Sequence, residues 1–179
     1  MQAAVRLAGE VPVIETERLR LRGHGLDDFA ACCALWSDPI VNRYTTGKPL
    51  APEDVWAKML RYRGLWAMLG YGYWVAEEKV SGEFAGELGF ADFKRDIQPS
   101  LNGMPEIGWA LMPRVHGKGY ATEAVQAAIA WGTEQFGKRK TCCIIHPENA
   151  ASVRLAEKSG YRQWQPSLYK EHEVLLFTR

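Results

Sequence analysis

The residues from Glu106 to Ala124, E-I-G-W-A-L-M-P-R-V-H-G-K-G-Y-A-T-E-A, have the composition of an anion site. An apolar run stops at Pro113, the chain passes two glycines, and a helix-forming run opens at Tyr120. Backbone N–H groups and the positive end of a helix dipole therefore converge on one spot, an arrangement suited to phosphate. Gly117 and Gly119 let the backbone approach an anion with no Cβ in the way, and Arg114 and Lys118 bring positive charge to the same place. The run is not a Walker P-loop, because the four-residue spacer and the G-K-[ST] ending are missing, and it holds no complete G-x-G-x-x-G. On these residues alone a plain strand-to-helix turn with solvated basic side chains stays open as the alternative.

Such a loop needs a strand before it and a helix after it. The sequence predicts the strand at Pro105 to Met112 and the helix at Tyr120 to Phe136, with Ala121, Ala124, Val125, Ala128, Ile129 and Gly132 on one closely packing face. Upstream, Val13 to Arg22 reads as one half-buried strand. A helix from Leu26 to Trp36 follows, presenting Leu26, Phe29, Ala30 and Cys33 and closed by Asp38-Pro39. A second helix opens at Pro52, with Glu53 and Asp54 in its first turn and a stripe of Val55, Met59, Tyr62, Trp66 and Leu69. Tyr71 to Glu77 and Phe84 to Phe93 form a hairpin about Ser81-Gly82. Downstream come a strand at Thr141 to His146, a helix at Ala150 to Lys158 stopped by Gly160, and closing strands at Tyr161 to Gln165 and Glu173 to Thr178. Residues 1–12 and 95–104 read as the loosest segments. The order β-α-α-β-β-β-α-β-α-β-β predicts an α/β fold in which a mixed sheet is flanked by helices.

The chain has 179 residues, 47% of them hydrophobic, which suits one domain spanning residues 1–179. Its 22 basic and 21 acidic residues leave a formal charge of +1, so no global field draws it to nucleic acid or an anionic membrane. The first ten residues lack the apolar stretch of a secretory signal and no later run reaches membrane-spanning length, so a soluble cytoplasmic protein is expected. The cysteines form two adjacent pairs, Cys32-Cys33 and Cys142-Cys143, which fit neither a zinc spacing nor a CxxC motif. They read as small buried apolar residues, with thiol catalysis the lesser alternative. No metal site is expected.

Arg114-Val115-His116-Gly117-Lys118-Gly119 matches, at each specified position, the pyrophosphate loop Q/R-x-x-G-x-G/A of the GNAT superfamily of acyl-CoA-dependent N-acetyltransferases. Asn149 to Tyr161 is similar to a second segment of that family, N-x-x-S-x-x-L-x-E-K-x-G-Y/F. Thr16 to Arg22, T-E-R-L-R-L-R, resembles the opening of the branch holding the ribosomal-protein alanine N-acetyltransferases. The resemblance thus runs from about residue 13 onward. It implies a central, mostly antiparallel sheet in which Glu106–Met112 and Thr141–His146 start parallel and then splay into a cleft for the pantetheine arm of acetyl-CoA, the co-substrate. Backbone groups near Leu111 and Met112 would bond the pantetheine amides. Arg114 and the segment His116, Gly117, Lys118, Gly119, Tyr120, Ala121 and Thr122 would surround the pyrophosphate, and Asn149, Ser152 and Arg154 would make further cofactor contacts. Asn149 also suits the N-cap of its helix, Arg154 a solvated helix position, and His116 a loop residue contributing its N–H.

An amine attacks a thioester only as the free base, so the resemblance also implies a proton acceptor, for which Glu106 is the candidate. The alternative is a strand-edge glutamate paired with an arginine. Many family members carry a tyrosine four residues before the last glycine of the second motif; here that position is Ala156, which leaves the general acid open among Tyr161, Tyr169 and Ser152. The acceptor, a protein N-terminus or a small primary amine, would face segments rich in aromatics: Trp36, Tyr44, Trp56, Trp66, Tyr71, Tyr73, Trp74 and Tyr169. Aromatics at such spacing also serve as core. A noncatalytic acyl-CoA sensor is the competing reading, a nucleotide-binding protein using the same glycine turn a third. A homodimer suits this kind of domain without any residue singling it out.

Overall fold

The computed structural model describes residues 10–179. The strands are β1 (Ile14–Glu15), β2 (Leu19–Arg22), β3 (Tyr73–Glu78), β4 (Phe84–Ala91), β5 (Glu106–Leu111), β6 (Cys142–Ile145), β7 (Arg162–Tyr169) and β8 (His172–Thr178). The helices are α1 (Phe29–Ser37), α2 (Pro39–Asn42), α3 (Pro52–Leu69), α4 (Tyr120–Phe136) and α5 (Ala150–Lys158). All eight strands join one sheet in the order β1-β2-β3-β4-β5-β6-β8-β7. Every neighbouring pair is antiparallel except β5 and β6, which run parallel and touch in register only at Glu106 and Cys142. This is the mixed sheet with a splayed parallel pair that the motifs imply.

The two faces of the sheet are built differently. Ala124, Val125, Ala128 and Ile129 of α4 pack with Leu88, Phe90, Ile107 and Leu111 on one face, and Trp66, Trp74 and Trp131 stack edge to face in the same cluster. Small residues along α4 let its backbone approach the sheet. Gly132 shows how closely, since a Cβ there would lie 2.9 Å from the Phe90 ring. A second cluster joins α1 and α3 to Ala110 through Cys32, Leu35, Trp36, Val55 and Met59. Burying these side chains is worth about 1.5–3 kcal/mol each for the larger ones.

Several sequence expectations need correction. Val13 to Arg22 is two short strands, because the Thr16 N–H donates to Leu19 O and the Thr16 hydroxyl accepts from Leu19 N, both at 2.9 Å, which folds the chain back on itself. The face expected of the first helix is displaced: Leu26 is 77% exposed and Ala30 is exposed, while Cys32, Leu35 and Trp36 are buried. The cause is Asp28, which is drawn inward by Arg22 at 2.8 and 2.9 Å and by the Gly25 N–H at 2.7 Å. Residues Leu26–Asp28 thereby form a 3-10 turn whose tighter winding shifts the phase of α1. The short α2, capped by the Asp38 side chain on Ile40 N, carries no sequence periodicity and was not expected. Leu69 lies off the buried stripe of α3, whose Val55, Met59, Tyr62 and Trp66 are buried. Residues 95–104 have no regular structure yet are anchored: Ile97 and Leu101 pack on Cys142, Val174 and Leu176, and Gln98 O accepts from Ser167 Oγ. Of the other segment expected to be loose, residues 1–9 lie outside the described residues. Val11 packs against the main core and Pro12 O accepts from Trp74 Nε1.

Candidate active site

The site begins where β5 and β6 part. Cys142 N donates to Pro105 O at 3.0 Å on the β6 side of β5, whereas Met112 N donates to Ala85 O at 2.8 Å on the β4 side. Backbone groups alternate along a strand, so those of Trp109 and Leu111 face the opening gap while those of Met112 face β4. Of the backbone groups near Leu111 and Met112 expected to meet the pantetheine amides, the Met112 N–H is bonded within the sheet and the Leu111 N–H faces the gap. The backbone groups of Trp109, a residue the sequence reading did not single out, do face the gap. Its indole donates to Ser152 Oγ at 3.2 Å and so ties the gap's edge to α5.

Beyond Met112 a 3-10 turn, Pro113–Val115, sinks Val115 into the core and lifts His116 to Gly119 into solvent. Gly117 and Gly119 have φ of 72° and 82°, the left-handed region in which a side chain is strained, and space around Gly117 is open. The first turn of α4 then presents the N–H groups of Tyr120, Ala121 and Thr122, which have no carbonyl within the helix to bond. His116 folds back so that Nε2 donates to Leu111 O at 2.8 Å, bracing the loop against the end of β5.

Charge is distributed differently from expectation. Arg114 leaves the loop: it pairs with Glu78 and with Glu83 at 3.3 Å, and donates to Phe84 O at 2.8 Å. Glu78 and Glu83 belong to the β3–β4 hairpin, which brings both carboxylates alongside Arg114. Lys118 remains exposed on the loop. Arg18, which sequence reading passed over, donates to Lys118 O at 2.8 Å, and a Cβ at Gly119 would meet it at 3.3 Å. Arg18 is held by Glu123, which also accepts from Thr16 Oγ1 at 2.6 Å. The Glu123 carboxyl is partly buried, which pushes its pKa up, yet hydrogen bonds from Thr16 and Arg18 hold it below the usual value.

Of the second motif, Asn149 is the N-cap of α5, its side chain accepting from Ser152 N at 3.1 Å. Ser152 is half-buried beside the gap, and Arg154 is exposed. Ala156 is fully buried. Tyr161 cannot stand in for the missing tyrosine, since its hydroxyl is buried against Thr141 Oγ1 at 2.7 Å. Tyr169 is half-buried beneath the Arg95 guanidinium, 4.8 Å from its ring centre.

Glu106 is 6% exposed and accepts two hydrogen bonds from Arg95, at 2.7 and 2.8 Å. The guanidinium also lies 4.7 Å from the Phe93 ring centre. On the same face of the sheet Glu87, 1% exposed, accepts from Trp36 Nε1 at 2.9 Å, Tyr62 OH at 3.0 Å, His24 Nε2 at 3.2 Å and Cys32 Sγ at 3.7 Å. Burial raises its pKa, but His24, the nearby Lys58 charge and Trp36 outweigh that and keep it ionised. His24, Cys32 and Glu87 bring possible metal donors within 4.8 Å of one another, but each contact is explained by a proton donated to the carboxylate. Of the aromatics expected near the acceptor, Trp36, Trp66, Tyr71, Tyr73 and Trp74 are buried; Tyr44 lies tilted against His146 with ring centres 5.2 Å apart, and Trp56 is 38% exposed.

A family model described as "Acetyltransferase (GNAT) domain" matches residues 18–162. The chain is 36% identical to YkkB of Bacillus subtilis over 151 residues, which cover 81% of this chain and 82% of that one. A GNAT-family acetyltransferase from Bordetella pertussis superposes with a TM-score of 0.84 at 28% identity, over 94% of this chain and 99% of that one. The ribosomal L7/L12 α-N-protein acetyltransferase RimL, solved with coenzyme A, shares the fold at a TM-score of 0.72 and 17% identity, over 94% and 97% of the two chains. The chain belongs to the GNAT acetyltransferase family. Acetyl-CoA is the co-substrate that this fold binds. No helix among the described residues is long and apolar enough to cross a membrane.

Proposed function

We propose that this protein transfers the acetyl group of acetyl-CoA to a primary amine, a protein N-terminus or a small molecule. The observation that carries the reading is the continuity of three features: the parting of β5 from β6, the backbone of Trp109 and the Leu111 N–H turned toward that gap, and the glycine loop with free N–H groups opening α4. A linear arm would lie along β5 as an added strand, with its pyrophosphate over Gly117 to Thr122 and Lys118 beside it. Asn149, Ser152 and Arg154 line the α5 side of that path. The thioester would then sit in the gap beside Gly108 and Trp109.

In this reading the neutral amine attacks the thioester carbonyl from the α1/α3 face, the face that carries Glu106. Glu106 accepts the amine's proton through water. Each carboxylate oxygen has one further acceptor position beyond Arg95, and the ion pair fixes the carboxylate in the orientation that water would need. Thiolate departure then completes the transfer. The test is free-thiol release from acetyl-CoA across a panel of N-terminal peptides, polyamines, amino acids and aminoglycosides. Acceptor-dependent release that falls about 100-fold or more in Glu106→Gln, with acetyl-CoA affinity kept, is expected. Tight binding of acetyl-CoA without release for any amine would favour the sensor reading instead.

A further inference from the structure

Tyr73, Gly89 and Gly108 are register partners on β3, β4 and β5 and form one row across three strands. Neither glycine has room for a side chain. A Cβ at Gly89 would come within 2.4 Å of Tyr73 Cα, and one at Gly108 would come within 2.2 Å of the Tyr73 hydroxyl. The Tyr73 side chain therefore lies across the sheet and ends over Gly108, two residues past the last register contact between β5 and β6. It is held there from the other side by Tyr62, whose ring stacks on it at 4.2 Å and 2°. The Tyr62 hydroxyl is engaged by Glu87, but among the described residues the Tyr73 hydroxyl has no hydrogen-bond partner. Tyr73 is 7% exposed, and its hydroxyl, unlike the enclosed His24 Nδ1, Trp131 Nε1 and Ser159 Oγ, is not sealed from solvent, so it is free to donate to a group that enters the gap.

We infer that Tyr73 is a catalytic residue whose hydroxyl donates a hydrogen bond to the thioester carbonyl of bound acetyl-CoA and to the oxyanion that replaces it. The inference rests on the acetyl-CoA reading of the gap and adds a named donor to it. The hydroxyl keeps its proton throughout: burial first, then the Glu106 and Glu87 charges, push its pKa well above the ordinary tyrosine value. It therefore acts by stabilising charge and transfers nothing. Amine nitrogen bonds to the carbonyl carbon, the oxyanion forms under the Tyr73 O–H, and the carbon–sulfur bond breaks as the oxyanion collapses, with the amine's proton leaving toward Glu106. Gly108 has a reason to be glycine in this arrangement, because any side chain there would evict the donor.

The experiment is difference infrared spectroscopy of acetyl-CoA labelled with carbon-13 at the thioester carbonyl, bound to wild type, Tyr73→Phe and Gly108→Ala, with calorimetric affinity measured on the same samples. The wild-type protein is expected to lower the carbonyl stretch relative to either variant, and Tyr73→Phe to bind acetyl-CoA within about tenfold of wild type. Tyr73→Phe should keep the thermal midpoint, since the ring stack survives. Gly108→Ala should cost less stability in the Tyr73→Phe background than in wild type, since the ring carbon left behind is 3.4 Å from the new Cβ. Wild-type binding with the same carbonyl frequency in all three proteins would overturn the inference and leave the acetyl-CoA reading standing. Failure of the wild type to bind acetyl-CoA would overturn both.

Discussion

Arg18 and Glu123 meet at 2.7 Å through side chains and at 2.7 Å through the Arg18 backbone N–H, joining the turn before β2 to the first turn of α4. The same guanidinium holds Lys118 O, so the glycine loop is fixed from the N-terminal side of the sheet. Glu123→Gln is expected to lower stability by about 1–3 kcal/mol, the range for a charged hydrogen-bonded group, with Arg18's partial exposure favouring the lower end. It should also weaken coenzyme A binding by freeing the loop. The carboxyl is held below its unfolded value near 4.3, so this stabilisation is present above that value and is lost as pH falls through the folded one. Urea unfolding of wild type and variant from pH 7 downward should therefore converge in acid.

Gly117 has open space around it, so a side chain there clashes with nothing in the protein. Gly117→Val would still strain the left-handed backbone and place two methyl groups where phosphate approaches. Coenzyme A affinity should drop by tenfold or more, about 1.4 kcal/mol, while dephospho-contacts along β5 persist and the fold remains intact by circular dichroism. Unchanged affinity would remove the loop from the binding site.

The Glu87 carboxylate is surrounded by four donors and lies 1% exposed. Glu87→Gln would turn an amide N–H₂ toward groups that themselves donate, and the expected loss is roughly 3–5 kcal/mol in equilibrium unfolding. Its folded pKa is lowered, so the wild-type advantage is again full at neutral pH and disappears in acid.

Burial pushes the Cys142 thiol up to about 12 and raises Cys32 and Cys143 as well, so all three stay protonated at neutral pH. Only Cys33 is half-exposed. Ellman's reagent should titrate no more than one thiol rapidly in the native protein and all four after denaturation. Rapid native reaction at several thiols would contradict the packing of β6.

Much of the fold was legible because periodicity and punctuation agreed. Tyr120–Phe136 and Ala150–Lys158 have the bounds that their glycines, Asn149 and apolar spacing predict. Two of the misses share one cause: a polar side chain decided the local geometry. Thr16 split the first strand, and Asp28 turned the first helix, through bonds to residues whose proximity no spacing reveals. The glycine loop was visible for the complementary reason, since φ values of 72° and 82° demand glycine wherever they occur. Arg114 illustrates the limit. Its place in the motif suggested phosphate, but its charge is taken by Glu78 and Glu83, which only hairpin pairing brings alongside. The arginine pairing weighed for Glu106 is present in the fold through Arg95, which eleven residues of irregular chain bring alongside it.

The most direct test of the account is calorimetric titration of the purified protein with acetyl-CoA, with ATP as the control. Saturable binding of acetyl-CoA, weakened in Gly117→Val and far tighter than any signal from ATP, is the predicted result. Silence with acetyl-CoA, or equal binding of ATP, would mean that the loop is a structural turn or a general phosphate site, and would contradict the account.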